Sequence, residues 1–223
     1  MELIVRREAE YVATWEWQRA RARELAAGGA GEALLLVEHE SVYTLGQRSD
    51  PAHLLGGEDG FRKSGAHVVW VDRGGDVTWH GPGQITGYPI LDLKTRGRDL
   101  HRYVEALEQV VIDVCALYGV VAGRQPGLPG VWVGERKIAS LGVKLSHNWI
   151  AYHGFALNVS SDLTWFARIV PCGLHGFEVT SLEAETGRQV EWSDAVARIA
   201  ASFERVFAVS LTETSGVQSA RVG

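Results

Sequence analysis

Residues 134–158, GERKIASLGVKLSHNWIAYHGFALN, decide the fold class, because here the apolar pattern changes from a helical period to alternation. The runs KIASLGVKL and WIAYHGFALNV follow a shorter run, GVWV, and the turns between them are the polar triplets GER and SHN. Short apolar runs joined by such turns are typical of consecutive antiparallel strands. The segment therefore predicts a β-meander.

The rest of the sequence predicts helices and further strands around this meander. Helices are predicted at 7–27 (ending at Gly28-Gly29), at 181–187, at 193–207, and from the N-cap Asp99 to about Tyr118. Strands are predicted at 32–39, 66–72 and 84–93. The first two are expected to be buried, and Pro89 places the third near an edge or a bulge. These elements predict an α+β (α/β) fold with a mixed β-sheet flanked by helices.

Length and charge limit the kinds of protein this can be. The 223 residues are expected to form one domain, residues 1–208, with a Gly/Pro-rich loop at 123–130 and a loose polar tail at 209–223. The net charge of −5 disfavours a nucleic-acid partner. The longest aliphatic run, ALLLV at 33–37, is too short to span a membrane. Two cysteines form neither a disulfide framework nor a metal-ligand cluster, so we expect a reduced cytoplasmic protein without a bound metal.

The two cysteines lie in different settings. Cys115 lies beside the apolar stripe of a predicted helix, where a packing role is expected. Cys172 lies in RIVPCGLHG, where Pro171 ends a strand and Gly173 leaves room for an approaching carbonyl carbon. The local sequence fits both a nucleophile and a structural cysteine in a loop.

Two other segments carry residues suited to binding or catalysis. The loop RGGDVTWHGPGQ, residues 73–84, combines flexible glycines with Arg73, Thr78, His80 and Gln84, which indicates a binding loop; a plain connection is the alternative. Lys137 and Lys144 are seven residues apart on one predicted strand, so regular alternation places them on opposite faces. Lys137 would then share an apolar face with Ala139, Leu141 and Val143, where burial would suit it to act as a base; an exposed lysine at the strand start is the alternative.

Taken together, RGGDVTWHGPGQITGYPILDL, RKIASLGVK, YHGFALN and PCG resemble the lipoyl(octanoyl) transferase family of lipoate biosynthesis, in the order the family has them. With EHESVYTLGQR (38–48), the resemblance covers about residues 35–185. It implies the fold of the biotin- and lipoate-protein ligase catalytic domain. It also implies the first step of endogenous protein lipoylation: transfer of an octanoyl group from octanoyl-acyl carrier protein to a lysine amine. The implied acceptors are lipoyl domains of 2-oxo-acid dehydrogenase E2 subunits and the glycine-cleavage H protein, and no cofactor is implied.

The resemblance also implies roles for individual residues. Cys172 would carry the acyl group as a thioester, and Lys137 would activate the thiol. Substrate contacts are implied at Arg73, Gly74, Gly75, Asp76, Val77, Thr78, Trp79, His80, Ser140, Leu141, Gly142, His153, Gly154 and Phe155. Trp79 and Lys144 depart from the tyrosine and arginine expected in the family.

Three further expectations concern the surroundings of this site. The walls of an acyl pocket are assigned from sequence position to Leu45, Val77, Trp79, Leu141 and Leu157. A basic patch for the carrier protein is assigned to Arg48, Lys63, Arg73, Arg136 and Lys144. Site roles are open for His39 and His175, whereas surface positions are expected for His53, His67, His101 and His147.

Three alternative functions remain on sequence grounds. An ATP-dependent lipoate- or biotin-protein ligase would share the fold but would adenylate a free acid and need no cysteine. A lipoyl-amidotransferase would use a cysteine on the same fold. A non-catalytic carrier-protein or lipoyl-domain binder would be expected to have lost the cysteine or the lysine, and both are present.

Overall fold

The computed structural model of the protein describes residues 1–55, 61, 66–170 and 178–214. Five of the residues singled out above lie outside these ranges: Lys63, Pro171, Cys172, Gly173 and His175. The helices are α1 (Tyr11–Ala26), α2 (Leu100–Leu117), α3 (Leu182–Thr186) and α4 (Trp192–Phe207). The strands are β1 (Glu2–Ala9), β2 (Ala33–His39), β3 (Val42–Leu45), β4 (His67–Trp70), β5 (Val77–His80), β6 (Gln84–Asp92), β7 (Gly123–Gln125), β8 (Leu128–Val133), β9 (Arg136–Leu145), β10 (Ile150–Asn158) and β11 (Thr212–Glu213).

The strands of the described chain form a large and a small sheet. The large sheet has the order β11-β1-β2-β6-β10-β9-β8-β7, and the small sheet has the order β4-β3-β5. Both sheets are mixed. In the large sheet β1 runs parallel to β2, while β8, β9 and β10 form antiparallel neighbours. In the small sheet β3 runs parallel to β4 and antiparallel to β5. The predicted fold class and the predicted meander are confirmed.

Helices cover both faces of the large sheet. On β2, Leu34 and Leu36 pack in a core with residues of α2 and α4, whereas Leu35 and Val37 pack on the other face with Trp17 of α1. Because side chains alternate along a strand, a strand that is covered on both faces is apolar throughout, as ALLLV is. The strand predicted at 32–39 is therefore correct in both position and burial.

The predicted helices are confirmed, with one correction at the N-terminus. Asp99 accepts a hydrogen bond from the N–H of Arg102 at 3.0 Å and so caps α2. The helix predicted at 7–27 begins only at Tyr11, because the Glu10 carboxylate accepts hydrogen bonds from the first-turn N–H groups of Val12 and Ala13. The preceding residues form β1, which pairs with β2. Pairing within the sheet overrides the helical propensity of Arg7, Glu8 and Ala9.

Three other segments differ from their predictions. The strand predicted as buried at 66–72 is β4, whose side chains are half-buried or exposed because it lies at an edge of the small sheet. The loop predicted at 123–130 contains β7 and the start of β8, which form a hairpin with Gly127 at a φ of 76°. In the tail predicted as loose, Thr212–Glu213 pairs with β1 as β11. The pairing of β11 with β1 is a long-range contact that local composition does not encode.

Pro89 lies inside the large sheet, since β6 has β2 on one side and β10 on the other. The predicted edge position is therefore wrong. The ladder between β6 and β10 nevertheless pairs Gly87 with Phe155 and Leu91 with Ala151 and is interrupted between them. His153, opposite Pro89 in this register, donates its N–H to Gln18 Oε1 at 2.9 Å. Proline lacks an N–H, so it cannot donate a hydrogen bond to β10, and the ladder is interrupted there. The side chain of Gln18 takes the hydrogen bond from the N–H of His153 instead.

Within the described ranges, no helix has the length and apolar composition needed to cross a bilayer.

Candidate active site

A pocket lies between the small sheet and the face of the large sheet that carries α1. Its floor is formed by small residues in two cross-strand pairs, Ser140 with Ala156 and Gly142 with Gly154. A buried sheet face usually carries larger side chains, so four small neighbours leave space for a ligand above the sheet. The space within the cavity and its open mouth is about 760 Å³.

Most of the predicted site residues that the structure describes meet in this pocket. It is lined by Arg73, Gly75, Asp76, Val77, Thr78, His80, Lys137, Ser140, Leu141, Gly142, His153 and Gly154. Residues about eighty positions apart in sequence are thus brought to one cavity. Cys172 lies outside the described residues.

Gly74, Trp79 and Phe155 are the described members of the predicted set that do not line the pocket. Gly74 donates its N–H to Val143 O at 2.9 Å and so fixes the loop on β9. Trp79 stacks on Trp165 with 5.9 Å between ring centroids, and Phe155 packs in the main core. Trp79 directly precedes His80 and Phe155 directly follows Gly154, so the side chains of Trp79 and Phe155 point to the sheet faces away from the pocket.

The predicted acyl-pocket walls are only partly correct. Val77 and Leu141 line the pocket. Leu45 and Trp79 are instead buried in the hydrophobic cluster beside the small sheet, and Leu157 is buried in the main core; none of the three lines the pocket.

Lys137 reaches the pocket through a bulge in β9. Trp132 of β8 pairs with Lys137 and Val131 pairs with Ala139, so Ile138 is an extra residue on β9. Ile138 and Ala139 both pack in the main core, and the alternation is reset. Lys137 consequently lies on the face of Ser140 and Gly142. The prediction that Lys137 shares a face with Ala139, Leu141 and Val143 is wrong. The prediction that Lys137 and Lys144 lie on opposite faces of β9 is also wrong, because Lys144 is two residues from Gly142 and so lies on the same face as Gly142 and Lys137.

The surroundings of Lys137 fix both its backbone and its side chain. Its N–H donates to Glu178 O at 2.8 Å, and its carbonyl accepts from the N–H of Thr180 at 2.9 Å. The side chain is 8% exposed, its Nζ is 5.2 Å from the centre of the Trp132 ring, and its Cε passes beside Gly130. The strand therefore pairs with the chain immediately after residue 177, and the amine is held at one end of the pocket.

Arg73 binds the protein's own backbone. Its guanidinium donates to Thr44 O at 2.7 Å and to Thr44 Oγ1 at 2.9 Å, and the residue is 7% exposed. Arg73 therefore ties the glycine-rich loop to β3. Its predicted place in a surface basic patch is wrong, because a guanidinium that is buried and hydrogen-bonded to Thr44 cannot contact a protein partner.

The remaining members of that patch differ in their availability. Arg48 is exposed and Lys144 is half-buried. Arg136 is paired with Glu185 at 3.0 Å. Lys63 lies outside the described residues.

His80 belongs to a buried hydrogen-bond chain that leads toward Lys137. Its Nδ1 donates to Gln84 Oε1 at 2.8 Å, Gln84 Nε2 donates to Asn158 Oδ1 at 3.0 Å, and Asn158 Nδ2 donates to Thr180 O at 3.0 Å. Burial, together with the neighbouring His39 and Arg73, lowers the pKa of His80 well below its usual value. The ring is therefore neutral at physiological pH.

His153 is held by Asp72 in an unusual backbone conformation. Its φ is 57°, in the middle of a strand, and its Nε2 donates to Asp72 Oδ1 at 2.9 Å. Burial lowers the pKa of His153 more than the contact with Asp72 raises it. Burial alone would raise the pKa of Asp72, but hydrogen bonds from His153, Tyr152 and Trp15 hold it well below its usual range. The pair is thus a neutral imidazole and a carboxylate.

Two other histidines have roles that the sequence did not reveal. His39 does not line the pocket but accepts a hydrogen bond from Tyr88 Oη at 2.9 Å, and burial lowers its pKa to about 4. His53, expected to be a surface residue, is half-buried and donates from Nδ1 to Asp76 Oδ2 at 2.6 Å. The surface positions expected for His67, His101 and His147 are confirmed.

Several pocket residues were missed from the sequence. They are Tyr11, Thr86, Tyr88, Pro129, Ala156, Phe166 and Val179. Thr86 and Tyr88 alternate with Gln84 on β6, so a period of two starting from the glycine-rich loop could have identified them. Tyr11 begins a helix far from every quoted motif, and no local signal marks it.

Comparisons with known proteins identify the family and the fold of the chain. Residues 10–204 match the family described as the lipoyl protein ligase A/B catalytic domain. The chain is 50% identical over 197 residues to an octanoyltransferase from Rubrobacter xylanophilus, covering 88% of each chain, and 46% identical over 213 residues to one from Geobacter sulfurreducens, covering 96% of this chain and 87% of that one. A solved lipoate-protein ligase A with bound ATP superposes with a TM-score of 0.71 at 15% identity, covering 97% of this chain and 89% of that chain. At that identity the likeness to the ligase concerns the fold alone.

Proposed function

The chain belongs to the lipoyl protein ligase A/B catalytic-domain family, and we propose that it transfers an octanoyl group from octanoyl-acyl carrier protein to a lysine amine of lipoyl domains. Octanoyl transfer as such is the activity for which its relatives are named. The donor, the acceptors and the covalent intermediate are the parts of the function that we propose for this chain. The acceptors are lipoyl domains of 2-oxo-acid dehydrogenase E2 subunits and the glycine-cleavage H protein, and the catalytic unit is residues 1–208.

The observation that carries the proposal is the buried Lys137 side chain at one end of a pocket with a floor of small residues. A lysine that is largely removed from water is suited to accept a proton in catalysis. The nearby Trp132 ring favours the ammonium form that Lys137 acquires when it takes a proton.

The proposed nucleophile is Cys172. It lies outside the described residues, but the chain on both sides of it contributes to the pocket, through Phe166 before it and Val179 after it. Glu178 and Thr180 also hydrogen-bond to the backbone of Lys137. These contacts support a thiol near the Lys137 amine.

The reaction has two balanced steps. Lys137 takes the proton from the Cys172 thiol, and the thiolate attacks the carbonyl carbon of the octanoyl thioester. The bond to the carrier sulfur breaks, and the carrier leaves as a thiol with the proton from Lys137. The amine of the acceptor lysine then attacks the Cys172 thioester, forms the amide and releases the thiolate, and Lys137 receives the amine proton. One thioester replaces another in the first step, so no nucleotide is consumed.

The other pocket residues bind and orient the acyl chain. Space for the acyl chain is left above the small floor residues Ser140, Gly142, Gly154 and Ala156. Apolar contacts to the chain come from Val77, Leu141 and Phe166. Burying the chain stabilises the complex by about 0.8 kcal/mol per methylene group. Arg73 and the residues of its loop hold the wall in place.

The experiment measures acyl transfer to an isolated lipoyl domain by intact mass. With octanoyl-acyl carrier protein as donor, we expect one octanoyl group per domain without ATP. Free octanoate with ATP and Mg²⁺ should give no product and no AMP. Product from free octanoate with AMP release would identify the chain as a ligase, and transfer from an octanoylated lipoyl domain but not from the carrier would identify an amidotransferase.

A further inference from the structure

A buried carboxylate on α2 is connected to the lysine end of the pocket. Glu108 is 6% exposed and is the charged member of a helix face whose other buried residues are apolar or aromatic. A carboxylate loses favourable hydration when it is buried, so this position requires hydrogen bonds from the protein. Gly130 donates its N–H to Glu108 Oε1 at 3.1 Å, and Arg124 donates from Nε to Glu108 Oε2 at 2.9 Å. Glu108 thus joins α2 to β7 and β8.

The hydrogen bond to Gly130 lies at an irregular point of the ladder between β7 and β8. Gly123 pairs with Trp132 and Gln125 pairs with Leu128, so residues 129–131 of β8 lie opposite a single residue of β7. Unequal numbers of residues disrupt a ladder locally and leave backbone groups unpaired. Gly130 is the middle residue of the three, and Glu108 accepts its N–H in place of a strand partner. The carboxylate therefore fixes the orientation of the peptide between residues 129 and 130.

This peptide borders the path of the Lys137 side chain. Gly130 has a φ of 128°, and a Cβ atom built on it would lie 2.5 Å from Lys137 Cε. Pro129, on the other side of the same peptide, lines the pocket. The lysine stem passes so close to the Gly130 backbone that rotation of this peptide would move the amine.

We propose that Glu108 is a positioning residue for the Lys137 amine: by accepting the N–H of Gly130, it holds open the gap through which the lysine side chain enters the pocket. Glu108 does not itself line the pocket, so its effect on transfer passes through Lys137. The catalytic use of that amine rests on the proposed function, whereas the position of the amine can be measured without any transfer.

The position of the amine is measured by NMR of the full chain labelled with ¹³C-lysine. The chain has four lysines, and the Cε–H signal of Lys137 is identified by its loss in Lys137→Met. The Trp132 ring, whose centre is 5.2 Å from Lys137 Nζ, shifts this signal through its ring current. Glu108→Met keeps the length of the side chain but loses the acceptor oxygens, and it should move the signal toward that of the exposed Lys94. Glu108→Gln keeps an acceptor oxygen and should leave the signal in place.

The consequence for catalysis is measured as release of the carrier thiol from octanoyl-acyl carrier protein. Glu108→Met should be about 10²-fold slower at pH 7, as expected for a misplaced catalytic group. Its rate should rise about tenfold per pH unit up to the ordinary thiol pKa of about 8.5, because hydroxide then makes the thiolate. Added to Lys137→Met, Glu108→Met should slow the reaction no further, since both changes remove the same base.

Arg124→Met is the matched control. It removes the ion pair of Glu108 and leaves the hydrogen bond to Gly130 in place, so it should retain the wild-type signal and rate. If Glu108→Met does not fold, Glu108→Asp serves in its place, because it keeps the charge but is one methylene group shorter. It should change the signal and the rate in the same direction.

A wild-type signal or rate in the folded Glu108 variant, while Lys137→Met is slow, would overturn the proposal. So would equal losses in Glu108→Met and Arg124→Met, or a further loss when Glu108→Met is added to Lys137→Met, because these results indicate general damage to the fold. A wild-type rate in Lys137→Met would instead count against the proposed function. The signal of Lys137 would then decide by itself whether Glu108 places the amine.

Discussion

Gly130 and Lys137 are shaped to each other across the β8–β9 ladder: a Cβ atom built on Gly130 would lie 2.5 Å from Lys137 Cε and 3.2 Å from its Nζ. Gly130 has a φ of 128° and donates its N–H to Glu108 Oε1 at 3.1 Å. The absence of a side chain at this position leaves the space through which the lysine reaches the pocket. A residue distant from the acyl chain thus determines where the amine lies.

The first prediction uses this contact. The added Cβ atom of Gly130→Ala would lie 2.5 Å from Lys137 Cε and 2.7 Å from Ala139 O. The substitution should therefore displace the Lys137 amine together with the start of β9, and it should lower the rate of octanoyl transfer by about 10²-fold, as a 1 Å misplacement of a catalytic group does. Gly127→Ala is the matched control, since Gly127 also has a positive φ of 76° but a Cβ atom there would meet nothing within 4 Å. Both substitutions strain the backbone, so equal losses of transfer rate in the two variants would contradict a specific role for the Gly130 contact.

The second prediction concerns the base. Lys137→Met should slow acylation of the cysteine at pH 7 by about 10²- to 10⁴-fold, because a general base is lost. The residual rate should rise about tenfold per pH unit up to the ordinary thiol pKa of about 8.5, since hydroxide then makes the thiolate. Stopped-flow release of the carrier thiol measures this rate. Lys144→Met should behave like the wild type, and a wild-type rate in Lys137→Met would remove the lysine from the mechanism.

The third prediction distinguishes a structural arginine from a docking arginine. Arg73→Lys keeps the charge but loses the paired hydrogen bonds to Thr44, and it should lower the free energy of unfolding by about 2–4 kcal/mol. Arg48→Lys at an exposed position should change it by less than about 0.5 kcal/mol. Urea unfolding measures both. Wild-type stability in Arg73→Lys would show that Arg73 does not tie the loop to β3.

The fourth prediction follows from the buried histidine His39. Its pKa falls from an ordinary 6.5 to about 4 on folding, so the unfolded chain binds the proton more tightly. The stability from keeping His39 neutral is complete above pH 6.5 and is lost as the pH falls toward 4, amounting to about 2 kcal/mol between pH 6.5 and pH 5.

Urea unfolding at pH 7 and pH 5 tests this value. His39→Asn should lose about 2 kcal/mol less than the wild type over that interval. His101→Asn, at an exposed position on α2, should lose as much as the wild type. Equal losses in all three proteins would mean that His39 titrates alike in the folded and unfolded chains.

Local patterns in the sequence predicted the elements of the fold well. The period of two over residues 134–158 indicated the meander, and the Asp99 cap indicated the start of α2, because both depend on neighbouring residues. The strand β1 was missed, because its partner β2 lies some thirty residues away and the pairing outweighs helical propensity.

The sequence identified many residues of the site but did not predict how they are arranged. Alternation placed Lys137 on the wrong face, because a single bulge residue, Ile138, shifts the register. The sequence assigned Arg73 to a basic patch for a partner. Only the fold reveals that its guanidinium is hydrogen-bonded to Thr44. The contribution of Tyr11 depends on tertiary contacts with no local signature, whereas His153 was predicted from its motif and lines the pocket.

The covalent intermediate is tested by the intact mass of the protein after incubation with octanoyl-acyl carrier protein in the absence of acceptor. We expect one added octanoyl group in the wild type, and in Cys115→Ala, because Cys115 is fully buried and burial raises its pKa to about 12. We expect no added mass in Cys172→Ala. An octanoyl adduct of equal yield in Cys172→Ala, or full transfer to a lipoyl domain by that variant, would contradict the thioester intermediate.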